Sequence, residues 1–252
     1  MVRTFGPYYH QLLISNFVRR AERSARKVAM SEYQTPERRP AFEQYCETIY
    51  GLNEDKVEVI QARIAERLDV SRPAVSEMVR RMTTEGLIEE GRTITLTPKG
   101  TSLAETVVRR HRLAERYLTD ELGLTWADAH HEAGRWEHVI SDSVEEAMMA
   151  RLNQPTTCPH GNPIPGSNYI AQELANLASL TPGTDFTVER IPESLEFAEG
   201  MLEFLESSNI TPGQKGTVTS ISPDGATCIT LDGNTVAVGS FASERILTSV
   251  NS

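Results

Sequence analysis

Five of the six histidines in this 252-residue chain lie between positions 111 and 160, interleaved with carboxylates. Imidazole nitrogen and carboxylate oxygen together suit octahedral Mn(II) or Fe(II), so this density points to a metal site. The strongest cluster is HHEAGRWEH, residues 130–138. At about 100° per helical residue, His130, Gly134, Glu137 and His138 share one arc, with His131 just beyond its edge. His111 and Glu115 stand at i and i+4 on the preceding segment, and Gln44 and Glu47 at i and i+3 near the start. The alternative for such residues is ordinary helix-surface ion pairing, as between Arg116 and Asp120 or Arg135 and Glu132.

Other chemistries find less support. His131-Glu132 is followed at the last position by Arg135, so the HExxH pattern of zinc proteases is absent. There is no GxSxG, no P-loop and no Rossmann glycine pattern, and no catalytic residue is assigned. A metal-dependent hydrolase or a metal-storage protein using the same His/Glu cluster stands as the alternative function. Cys46 is two residues from Gln44, on the other side of its helix, and reads as core.

The elements that must position these residues follow from periodicity. Phe42, Tyr45, Ile49 and Leu52 define one face of a helix over 41–54. Ile60, Ile64 and Leu68 mark a second over 59–68, and Val75, Val79 and Met82 a third over about 72–85. Ser71 is placed to cap the third helix, with Pro73 tolerated in its first turn. LIEEGRTITLTPKG alternates around Gly91 and reads as a β-hairpin. Helix, helix, turn, helix and wing within sixty residues indicate a winged helix-turn-helix. Residues 101–122 and 126–152 read as two long amphipathic helices, and 170–180 as a further short one. Beyond Asp185 come a strand over 186–191, a helix over 196–207, and a Val/Ile/Thr-rich stretch that reads as a small β-barrel. The expected class is mainly α.

Of the whole, 39% is hydrophobic and 24% charged, enough to bury real cores. No apolar run approaches the ~18–20 residues of a membrane span. Three scattered cysteines fit a reducing cytoplasm. The net charge of −10 argues against nucleic acid on its face. Yet residues 1–40 carry eight basic and three acidic side chains, net +5, while 186–252 carry three and nine, net −6. The apolar stretch Leu12–Val18 precedes most of these arginines, the wrong order for a secretory signal. Residues 1–29 read equally as a start-site extension or as a basic arm touching phosphates.

The segments QARIAERLDVSRPAVSEMVRRMTTEGLI, RRHRLAERYLTDELGL, HHEAGRWEHVISDSVE and GNPIPG closely resemble the diphtheria toxin repressor family of metal-dependent regulators. The resemblance covers roughly 41–166 and extends more loosely over the C-terminal module. It implies a winged helix-turn-helix domain at 41–100, a metal-binding and dimerisation domain at 101–168 and an SH3-like, FeoA-type barrel at 185–252. It also implies a homodimeric repressor that takes Mn(II) or Fe(II) as corepressor and binds a palindromic double-stranded operator controlling metal homeostasis genes.

Carried over by position, one metal site falls on His111, Glu115 and His130, and the other on Gln44, Gly134, Glu137 and His138. Gln44 and Gly134 replace the methionine and cysteine of the iron branch. Glu47 matches a liganding glutamate of the manganese branch, which has carboxylates where Gln44 and Gly134 stand here. An all-oxygen-and-nitrogen set leans towards Mn(II). Glu196 and Glu199 are the candidates donated by the third domain, and Arg112 and Asn162 match an anion site, where Cys158 replaces a serine. For DNA, residues 63–99 hold seven basic and six acidic side chains, so placement must decide. Arg63, Ser71, Arg72, Pro73, Ala74, Ser76, Glu77 and Arg80 are the expected base- and phosphate-facing residues.

Overall fold

The computed structural model describes residues 40–250; the basic N-terminal stretch lies outside the described residues. Helix α1 (Pro40–Glu54) buries Phe42, Tyr45, Cys46, Ile49 and Leu52, the face its spacing predicts. Helix α2 (Gln61–Leu68) stops where Asp69 turns left-handed at φ +50° and returns its N–H to the Ala65 and Glu66 carbonyls. Helix α3 (Arg72–Thr84) starts at Ser71, whose hydroxyl accepts the Ala74 N–H at 3.4 Å. Val75, Val79 and Met82 then join Phe42, Ile49 and Ile64 in one core.

The wing is the antiparallel pair β1 (Ile88–Glu90) and β2 (Ile94–Leu96). The Ile94 N–H donates to the Val59 carbonyl at 2.9 Å, fastening the wing to the approach to α2. Thr97 caps helix α4 (Pro98–Asp120) by accepting the Gly100 N–H at 3.1 Å. Helices α5 (Trp126–Trp136) and α6 (Asp142–Arg151) complete the middle layer. Its core comprises Leu113, Ala114 and Leu118 of α4, Ala129 and Ala133 of α5, then Ile140 and Met148. No helix among the described residues is long and apolar enough to cross a membrane.

The single helix expected over 126–152 is broken. It ends at Trp136, turns through 137–139 and restarts after Ser141, whose extended backbone (φ −87°, ψ 161°) interrupts the ladder. His138 therefore projects from a turn rather than from the arc of α5. The helix expected over 170–180 is also replaced, by strand β3 (Ala175–Asn176) and a 3-10 turn, Leu177–Ser179. Tertiary pairing outweighs local spacing there, since Ala175 and Asn176 add to strand β8 (Leu247–Val250).

The C-terminal unit is one antiparallel sheet in the order β3-β8-β4-β5-β6-β7. Its remaining strands are β4 (Asp185–Arg190), β5 (Lys215–Ile221), β6 (Thr227–Leu231) and β7 (Asn234–Val238). The expected barrel does not close, because β3 and β7 end the sheet without pairing with each other. With helical domains followed by a sheet, the chain is mixed rather than mainly α. The helix expected over 196–207 is two helices, α7 (Glu193–Glu196) and α8 (Met201–Ser207), separated where Gly200 adopts φ +71°. A short helix α9 (Ser240–Ser243) leads into β8.

Gly100 marks the tightest junction between wing and middle layer. A Cβ there would run into the Leu87 carbonyl oxygen. Gly100→Ala is expected to cost about 1–3 kcal/mol by overpacking. Equilibrium denaturation checks this, and an unchanged midpoint would contradict so close an approach.

Candidate metal centre

Helix α4 carries His111, Arg112 and Glu115, all buried. Against it α5 sets His130, the turn after α5 sets Glu137 and His138, and α1 sets Gln44 and Glu47. Two further suppliers are α7, with Glu193 and Glu196, and the loop that holds Cys158, His160 and Asn162. A cleft of about 400 Å³ is lined by Gln44, Glu47, His111, His130, Gly134, Glu137, His138, Glu193 and Glu196.

His111 is the hinge of the arrangement. Its Nδ1 lies 2.5 Å from Glu137 Oε2, while its Nε2 lies 3.1 Å from Glu115 Oε1 and 3.2 Å from His130 Nδ1. Two donor groups meet there. In one, His111, Glu115, His130 and Glu196 place donor atoms within 4.8 Å of one another, and in the other Glu47, His111 and Glu137 do so. A third group joins Glu115 to Cys158 and His160 on the far side. His160 Nδ1 is 3.2 Å from Glu196 Oε1 and 3.5 Å from Glu115 Oε1. His138 Nε2 stands 3.2 Å from Glu137 Oε1.

Most expected site residues are thus brought together. Gly134 contributes no side chain, and a Cβ there would meet nothing within 4 Å. Glu199 does not join; it is exposed in the turn before Gly200. Glu193 takes the inward position instead, because α7 is a single turn and i, i+3 residues share its face. The signal was available in the sequence: Glu193 and Glu196 repeat the spacing of Gln44 and Glu47. Sequence reasoning also passed over Glu43, which contacts His138, and assigned no role to His160.

The two expected anion residues both have protein partners. The Arg112 guanidinium forms a two-pronged pair with the Glu54 carboxylate and donates to the Pro163 carbonyl at 2.5 Å. Asn162 Nδ2 donates to Ile191 O at 2.9 Å and Glu196 Oε1 at 2.5 Å, while its Oδ1 accepts from Arg190 at 2.5 Å.

The electrostatics show what the cluster lacks. Burial, reinforced by the neighbouring Glu137 charge, pushes the Glu47 carboxyl well above the usual carboxylate range. His130 is opposed by burial but held at about 9 by hydrogen bonds to Glu115 and Glu196. His111 and His160 are raised in the same way by surrounding carboxylates, which outweigh burial. Glu115 and Glu196 are lowered by those imidazoles against the effect of burial, Glu196 to about 2. Two buried donor atoms, Glu115 Oε2 and His160 Nε2, have no hydrogen-bond partner. Unpartnered buried donors among imidazoles and carboxylates fit a divalent metal.

Away from this cluster, Ser71, Arg72, Pro73, Ala74, Ser76, Glu77 and Arg80 are exposed on and just before α3, and Arg63 is exposed on α2. Val75 and Val79 face inward. Arg80 pairs with Glu77 at 2.7 Å and Arg63 with Glu66 at 2.8 Å, both pairs at the surface.

A pH dependence follows. A histidine raised to about 9 in the folded state, against about 6.5 unfolded, contributes stability that is complete below pH 6.5 and lost as pH rises through 9. Glu47, also raised, acts in the same direction. The metal-free protein should therefore melt at progressively lower temperature from about pH 6.5 to 9. With saturating Mn(II) that decline should vanish, because cation and protons compete for the same donors. Calorimetric melting across this range decides it, and parallel curves with and without metal would contradict the competition.

Two family models match the chain. The iron dependent repressor N-terminal DNA binding domain covers residues 39–92, and the iron dependent repressor metal binding and dimerisation domain covers 97–166. The iron-dependent repressor IdeR of Mycobacterium tuberculosis is 40% identical over 205 residues, 76% of this chain and 89% of its own. The diphtheria toxin repressor of Corynebacterium diphtheriae is 46% identical over 144 residues, 56% of this chain and 63% of its own. A solved manganese-dependent transcriptional repressor in complex with manganese superposes with a TM-score of 0.76 at 31% identity, covering 83% of this chain and 100% of that one. T. acidophilum IdeR does so at 0.69 and 26%, covering 86% and 99%. Repressors of this kind are not enzymes, and neither a hydrolase nor a storage protein is favoured. With both domains matched and a 40% identical relative covered over most of its length, the chain belongs to the iron-dependent repressor family of metal-dependent transcriptional repressors.

Proposed function

We propose that a divalent cation, Mn(II) in preference to Fe(II), binds where α1, α4 and the end of α5 meet and holds the helix-turn-helix in its operator-binding form. The observation that carries this reading is His111, one imidazole shared between the Glu47–Glu137 group and the Glu115–His130–Glu196 group. The first site would use Glu47, Glu137 and His138, with the Gln44 side chain and the Gly134 backbone carbonyl. The second would use His111, Glu115, His130 and Glu196, flanked by His160 and Cys158. Burial pushes the Cys158 thiol up, so it stays neutral and donates weakly. The donor set is then oxygen and nitrogen, hard enough to favour Mn(II).

When bound, the cation supplies the positive charge that protons supply in its absence. The chain's own residues convert that into geometry. Glu47 and Gln44 tie α1 to the α4–α5 layer, and α1 shares one core with α2 and α3, with Arg81 of α3 lying 5.3 Å over the Phe42 ring. Fixing α1 therefore fixes the tilt of α3. Arg63, Arg72 and Arg80 are read as phosphate contacts, and Ser71, Pro73, Ala74, Ser76 and Glu77 as the residues nearest base edges.

Two copies, joined through the middle layer of residues 101–168, would set two recognition helices about 34 Å apart on a palindromic site. Exposed Leu122, Val139 and Val144 in that layer support a homodimer. The cytoplasm is the compartment in which such a repressor meets its operator. Metal and DNA are then linked: each should tighten the other's binding by the same factor.

The test is a binding titration on DNA from upstream of the protein's own gene, with chelator and then with Mn(II) or Fe(II). Metal should tighten binding at least tenfold, and Glu137→Ala or His138→Ala should remove that gain while leaving the weak, salt-sensitive binding in place. A silent Glu47→Ala would defeat the manganese-type assignment, and equal affinity with chelator and metal would defeat the switch.

A further inference from the structure

Glu43 lies one helical turn before Glu47 on α1. Its carboxylate Oε2 is 2.7 Å from His138 Nδ1, while the other ring nitrogen, Nε2, is 3.2 Å from Glu137 Oε1. The imidazole is thus held by one carboxylate on each nitrogen. Glu43 is absent from the lining of the cleft that Gln44, Glu47, Gly134, Glu137 and His138 share. It stands behind the ring, not in the cleft.

His138 needs such a partner. It sits in the turn beyond Trp136, where no helical ladder fixes its rotamer, and its side chain is 21% exposed. A carboxylate at Nδ1 keeps that nitrogen protonated and directs the lone pair of Nε2 the opposite way, towards the cleft. Because Gly134 offers no side chain and Gln44 no charge, the site leans more heavily on each donor that remains.

We propose that Glu43 is a positioning residue of the α1–α5 metal site: it holds the His138 Nδ1–H and presents Nε2 to the cation. α1 then grips the end of α5 twice, one turn apart, through Glu43 on His138 and Glu47 on Glu137. The inference rests on the reading of His138 as a ligand.

The experiment is a calorimetric Mn(II) titration of the metal-free full chain as wild type, Glu43→Ala, Glu43→Gln, His138→Ala and the Glu43→Ala/His138→Ala double variant. Glu43→Ala should weaken one site about 10–100-fold. Glu43→Gln, whose amide oxygen still accepts from Nδ1–H, should recover most of that loss and also controls for folding. In the His138→Ala background, Glu43→Ala should add nothing, since it acts through that ring. Wild-type affinity in Glu43→Ala, no recovery in Glu43→Gln, or an undiminished loss in the double variant would each overturn the positioning role. A His138→Ala protein that binds Mn(II) like wild type would instead overturn the ligand assignment on which it rests.

Discussion

The constraint on which the rest depends is the burial of more carboxylates than fixed positive charges around His111. Glu115, Glu137, Glu193 and Glu196 are all buried there, and Arg112 is the one buried arginine among them. Removing such charges from water is costly unless opposite charge is buried with them. Arg112 answers part of the demand by pairing with Glu54 and standing 3.9 Å from Glu193. Histidine protons answer another part at His111, His130 and His160. The raised Glu47 carboxyl and the unpartnered Glu115 Oε2 mark where a cation would be most stabilised.

That local imbalance reaches the DNA-binding surface through packing. α1 is shared property: one face is built into the helix-turn-helix core with α3, while the opposite face presents Glu43, Gln44 and Glu47 to the end of α5. The C-terminal unit takes part as well. α7 delivers Glu193 and Glu196, and Phe197, just beyond it, lies 4.8 Å from the Arg67 guanidinium of α2 and 5.3 Å from the His130 ring. Three domains therefore converge on one cluster, each supplying carboxylates or imidazoles that would be unfavourable to bury alone.

Much of this was legible in residue order. The helix-turn-helix, its Ser71 cap and the wing follow from local spacing and capping chemistry, which a single chain segment fully specifies. The ligand-type residues on α1, α4 and α5 were legible because helical periodicity groups them. The differences have separate physical causes. The extended run where 170–180 suggested a helix and the open sheet depend on tertiary pairing that no local window contains, whereas the break after Trp136 lies where the extended Ser141 backbone starts a new helix. Glu196 and Glu199 came as third-domain candidates from the family resemblance, in which Glu193 was not considered. In the structure the one-turn α7 buries Glu193 beside Glu196, and Glu199 lies exposed before the left-handed Gly200.

The most direct measurement is anomalous diffraction from crystals of the full chain grown with Mn(II), with data collected on either side of the manganese edge. Two peaks are expected on opposite sides of His111, one among Glu47, Glu137 and His138 and the other among Glu115, His130 and Glu196. Peaks only at surface carboxylates, or none near His111, would contradict a metal centre built from these residues.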